Sequence, residues 1–159
     1  MPSGNSLQAS AGPYNSRMDP LGAFQFAVEI DGLIVGGFSE VSGIQAETKV
    51  YTYREGGENG FTHSFADSTS HSRLVLKRGM TFDGTLWEWY REVLNGAFTR
   101  RSVYVLLIGN DGETAWMWIF TNAFPVKWTG PELRAAQNEI AVETLEIVYQ
   151  EALTGVRPW

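Results

Sequence analysis

Two histidines, His63 and His71, stand eight residues apart, with Asp67 midway between them. Imidazole and carboxylate are donors that a divalent metal accepts, but a site needs its ligands held at fixed geometry. Nothing in the small, polar stretch FTHSFADSTSHS fixes one, so solvation or contact with another chain is the expected role and no metal is expected. EGGENG, residues 55–60, has the glycines of a phosphate cradle without the lysine or the following helix, and its own charges are acidic. A turn or a flexible contact is the better reading there. Glu139, Glu143 and Glu146 could supply the two carboxylates of glycoside chemistry. No aromatic-lined cleft follows from their spacing, so surface, lumen or salt-bridge roles are expected of them. Serines are plentiful, yet no GxSxG elbow precedes a helix. No catalytic set converges, no cofactor is implied, and the chain does not read as an enzyme.

The elements that would carry these residues belong to one domain. A chain of 159 residues with 43% apolar and 19% charged residues is globular, not disordered. Nine Phe, six Trp and six Tyr exceed what a small core usually holds, and rings concentrate in cores and interfaces. Trp87, Trp89, Trp116, Trp118 and Trp128 therefore read as core or subunit interface before carbohydrate platform. The net charge of −6, without a run of Lys and Arg, argues against nucleic-acid binding. There is no cysteine for a disulfide or thiolate site. No apolar run approaches the ~20 residues of a membrane span, and the N-terminus has no secretory pattern, so synthesis in the cytoplasm is expected.

Residues 1–18 are rich in Ser, Gly, Asn and Ala and are expected as a flexible arm, with the domain at 19–159. FQFAVEI (24–30) alternates with period two, and Asp31-Gly32 supplies a tight turn into LIVGGFSEVSG, where Gly36-Gly37 marks a bulge or bend. ETKVYTYRE (47–55) alternates again, whereas residues 56–72 read as an extended loop or mobile hairpin tip. A long loop without catalytic residues is expected to dock on another chain. RLVLKRG (73–79) is a strand, Asp83 a candidate N-cap, and TLWEWYREVLN a helix closed by Gly96, with Leu86, Trp89, Tyr90 and Val93 on one face. SVYVLLIG (102–109) and TAWMWIFTNAFPVKW (114–128) form a hairpin across Asp111-Gly112, with Pro125 at an edge or bulge. The tail NEIAVETLEIVYQ divides evenly between helix and strand on its residues.

Both alternating faces of TAWMWIF are apolar, so both must be covered, and one short helix cannot do it. Open strand edges add a second need, met by closure within the chain or around a ring of chains. A soluble sandwich with its own core, or a monomeric barrel binding a ligand or carbohydrate, also satisfies the pattern.

The succession DPLGAFQFAVEIDGLIVGGFSEVSGIQAET, YREGGENG, LVLKRGMT, LWEWY, NAFPVKWTGPEL and NEIAVETLEIVYQEAL resembles the phage tail tube protein family from about Asp19 to about Leu153. It is most similar to inner-tube proteins of extracellular contractile injection systems. The resemblance implies a mainly β fold, an antiparallel sandwich or barrel with one flanking helix, and it makes the tail a strand. It also implies a homohexameric ring whose strands join one barrel. Such rings stack into a tube inside a contractile sheath, with baseplate, spike and cap proteins at the ends and protein cargo in the lumen. The assembled particle, not the single chain, would meet a target membrane. A baseplate tube initiator is the alternative role. On this reading ring stacking falls to Arg54, Glu55, Asn59, Phe61, His63, Phe65, Asp67, His71 and, on the arm, Tyr14. Strands 47–54 and 139–149 line the channel, with Lys49, Glu143 and Glu146 as candidate lumen residues.

Overall fold

The computed structural model describes residues 25–54, 56–57, 62–135 and 138–156. The expected arm at 1–18 and its Tyr14 lie outside them. The described chain forms ten strands and one helix: β1 Phe26–Ile30, β2 Leu33–Val35, β3 Phe38–Ser42, β4 Ala46–Tyr53, β5 His63–His71, β6 Leu74–Gly79, α1 Thr85–Leu94, β7 Arg101–Ile108, β8 Thr114–Thr129, β9 Val142–Val148 and β10 Glu151–Val156.

All pairings are antiparallel. One sheet runs β2-β1-β7-β8-β9-β6-β3, with β10 beside β8, and β4 and β5 form a separate two-stranded sheet. The first part of β8 pairs with β7 and β10, and its last part pairs with β9. Pro125 sits at that change of partner, where the register shifts before Lys127. A residue with no N–H is tolerated at such a bulge. The tail settles as strand, as the resemblance implied, and β10 is an addition that no alternation in the sequence announced.

One core joins the two halves of the sheet. Val28, Ile30, Val103, Val105 and Phe120 from one half meet Leu74, Leu76, Leu145 and Ile147 from the other. The helix closes the core with Leu86 and Trp89, both on the expected face. Fully burying a side chain such as Leu86 contributes roughly 1.5–3 kcal/mol, more than propensity gives a ten-residue helix. Trp116, Met117, Trp118 and Ile119 of β8 stay only half-buried, so the protomer covers its two apolar faces incompletely.

Asp31 and Gly32 adopt φ of 50° and 81°, the turn their sequence predicts. Two expectations change. The N-cap is Gly84, not Asp83. Asp83 stands one residue earlier because Arg78 holds it there, Nη2 to its carbonyl at 2.5 Å and Nη1 to Oδ2 at 3.2 Å. From that position its carboxylate accepts bonds from the Thr85 amide and hydroxyl. The stretch expected as a loop after Glu55 also contains β5, a nine-residue strand.

Candidate functional site

β4 and β5 form a ribbon in which every residue is exposed. The pairing sorts its side chains onto two faces. Tyr51 lies opposite Phe65 and Tyr53 opposite His63, so four rings share one face. Tyr51 is 60% exposed, Tyr53 49% and Phe65 57%, while His63 stacks on Phe65 with ring centroids 6.3 Å apart. The opposite face carries Thr48, Val50 and Thr52 across from Thr69, Ala66 and Ser64. The hydroxyls of Thr48 and Thr69 stand 3.1 Å apart. Between them the register shifts: Lys49 faces Ser68 and Val50 faces Ala66, which leaves Asp67 as the extra residue of a bulge.

The base of the ribbon is closed between its flanking residues and packs on the body through His71. The Ser72 amide donates to the Gln45 carbonyl at 3.1 Å, closing the two strands. Beside it, a Cβ on Gly43 would stand 1.9 Å from the Arg73 carbonyl oxygen, and φ there is +83°. Only glycine fits both the space and the dihedral. His71, at the end of β5, packs on Tyr149 at 5.4 Å, and Tyr149 in turn meets the buried Phe120 edge-on at 4.8 Å. Burial raises the pKa of the Tyr149 phenol. A two-stranded ribbon is marginal in water, and this one displays large rings, so the arrangement is suited to contact with another chain.

The sequence-predicted stacking residues fall on this ribbon in part. His63, Phe65, Asp67 and His71 all belong to β5, and Arg54 follows β4 directly. Glu55, Asn59 and Phe61 lie outside the described residues. Lys49 is exposed and shares the face of Tyr51 by register.

Glu143 corrects an expectation: it is only 3% exposed and faces the protein interior, so it lines no channel. Arg78, 1% exposed, sits opposite it in the β6–β9 ladder and donates from Nε to Oε1 at 2.6 Å. The Trp128 indole donates to Glu143 Oε2 at 3.0 Å, so both carboxylate oxygens are satisfied. Arg78 also lies over the Phe38 ring. A buried pair of this kind persists because its remaining donors and acceptors find partners. Parity was the available signal. Glu143 is in phase with Leu145 and Ile147, and Arg78 with Leu74 and Leu76.

Glu146 points outward between Arg73 at 2.9 Å and Lys127 at 3.0 Å. Hydrogen bonds from Arg73 and then Lys127 lower its pKa. Its charge is therefore shared with Lys127 of β8 and with Arg73, the residue just before β6. Among the described residues no group of three His, Cys, Asp or Glu is gathered that could hold a metal ion.

The family described as T4-like virus tail tube protein gp19 matches residues 22–152. No curated protein matches the sequence. Among solved structures, the chain is similar to one in the extended sheath–tube complex of an extracellular contractile injection system, PVC: 22% identity, 88% of this chain and 95% of that chain covered, TM-score 0.79. A chain of the PVC sheath/tube terminator in the extended state is 21% identical over 89% of this chain and 100% of that chain, with TM-score 0.81. A chain of the six-fold symmetrised baseplate of the anti-feeding prophage is 25% identical over 86% of this chain and 95% of that chain, with TM-score 0.74.

Proposed function

The chain belongs to the tail tube protein family, and on that premise we propose that it is the inner-tube subunit of a contractile injection system, its copies closing into six-membered rings that stack into a channel. The free-standing β4–β5 ribbon carries the reading: a strand pair exposed along its whole length, on a chain of this family, is a part waiting for its neighbour. Pairing across copies would satisfy the open strand edges. Ring-to-ring contact falls to the ribbon and its tip, from Arg54 to His71. A sheath surrounds the tube, with baseplate and cap proteins at its ends. Relatives of this fold stand in a sheath–tube complex and in a six-fold symmetrised baseplate, which supports those partners and that symmetry.

The work of such a subunit is mechanical and steric, with no catalytic step. The sheath supplies the stroke, and the tube must be stiff, which follows from inter-subunit strand pairing and buried ring area. The assembled particle, and not the free chain, reaches the target envelope.

A second role has its own support in the likeness to a sheath/tube terminator. Stoichiometry decides between the two. A tube subunit is present in purified particles in proportion to tube length and in near parity with the sheath subunit. A chain confined to one ring per particle would be an end piece instead.

A further inference from the structure

The register of β4 and β5 divides the ribbon into two chemically different faces. One carries Glu47, Lys49, Tyr51, Tyr53, His63 and Phe65. The other carries Ala46 and His71 at its base, where His71 packs on Tyr149, and beyond them Thr48, Val50, Thr52, Ser64, Ala66 and Thr69, all small to medium in size and none charged. Both faces are open in the single chain. In a tube wall only one can remain so.

We infer that the ribbon turns its small, uncharged face to the channel and its aromatic face onto a second copy of the chain. This rests on the tube reading above and says which surface the cargo meets. Three observations choose the side. Tyr51, Tyr53 and Phe65 each expose about half of their surface, and a cluster of large rings gains most from being covered. Both outer edges of the ribbon lack strand partners among the described residues, and a head-to-tail copy offers the matching β4 and β5 edges. Glu47 and Lys49 lie two residues apart on that same face, so neighbouring copies bring opposite charges into reach.

The other face suits a passage. Beyond His71, which its packing on Tyr149 holds at the base, hydroxyls and methyl groups offer a chain sliding past them neither a ring to stack on nor a charge to pair with. Rings lining the same wall would bind exposed apolar segments of cargo. Lys49 moves away from the lumen on this assignment because it shares the parity of Tyr51. Asp67 is the extra residue of the bulge and has no cross-strand partner.

The chain contains no cysteine, so a single introduced thiol reports alone. Thr52→Cys and Tyr53→Cys chains, each assembled at a low ratio with excess wild-type chain, are treated with a small maleimide before and after tube formation. Dilution keeps either variant from blocking assembly, and microscopy of the same samples establishes whether tubes are present. Thr52→Cys is expected to keep its labelling in tubes, while Tyr53→Cys loses it. Phe65→Cys is expected to follow Tyr53→Cys, and Thr48→Cys to follow Thr52→Cys. Tubes with the reverse pattern, or with both faces labelled or both protected, overturn the assignment while leaving the tube reading intact. Wild-type chain that forms no tubes overturns both.

Discussion

Arg78 and Glu143 meet inside the protein as cross-strand partners of β6 and β9, Nε to Oε1 at 2.6 Å, with 1% and 3% of their surfaces exposed. The same guanidinium reaches the carbonyl and carboxylate of Asp83, so one arginine joins the sheet to the segment that starts the helix. Leu86 and Trp89 then close the core from that helix. The pair therefore fixes how α1 sits on the sheet.

Glu143→Gln keeps the shape of the site and removes its charge. Leaving a buried cation with only the half-exposed Asp83 for compensation is expected to cost about 3–5 kcal/mol. For a domain of this size that lowers the melting temperature of the unassembled protein by about 6–20 °C. The double change Arg78→Met with Glu143→Leu is expected to recover most of the loss. A single variant that melts like wild type would show that the pair is not the fastening described.

Acid should loosen the protein through Asp83 and Glu146. Hydrogen bonds from Thr85, and then from Arg78, lower the pKa of Asp83, while Arg73 and Lys127 lower that of Glu146. The folded state then holds fewer protons than the unfolded chain, so stability falls as pH falls. The contribution is whole above the ordinary carboxylate range near about 4 and disappears as pH drops through the depressed folded values. Urea unfolding from neutral pH into acid should show a shallower acid limb for Asp83→Asn and for Glu146→Gln. Identical limbs in wild type and both variants would contradict this.

Gly43→Ala tests the base of the ribbon. The left-handed dihedral alone costs a residue with a Cβ about 1–2 kcal/mol, and the Arg73 carbonyl occupies the space besides. Lower stability and faster proteolysis within residues 46–71 are expected together. A variant cleaved at the wild-type rate would mean the base does not depend on that contact.

Much of the body of the fold is legible in the sequence because its strands bury one face. Val28 and Ile30 alternate with half-buried neighbours, and Asp31-Gly32 and Gly96 mark their turns with the positive φ they adopt. β5 gives no such signal: HSFADSTSH buries neither face in the protomer, so no alternation separates inside from outside. The strand that forms the candidate contact surface is illegible for the reason that makes it a candidate. Glu143 misleads differently, since a carboxylate reads as surface until its opposite number, Arg78, is known to share its ladder position. The tail became a strand through family resemblance and not through its own residues.

Electron microscopy of the purified chain beside a Tyr51→Thr/Phe65→Thr variant tests the assembly claim most directly. The substitutions keep strand-forming residues at the two exposed, cross-paired positions, so the stability of the unassembled protein should change by no more than about 1 kcal/mol. Wild type is expected as six-fold rings and stacked tubes, and the folded variant as monomers. A wild-type chain that stays monomeric at every concentration, or a variant that forms the same tubes, would contradict the account.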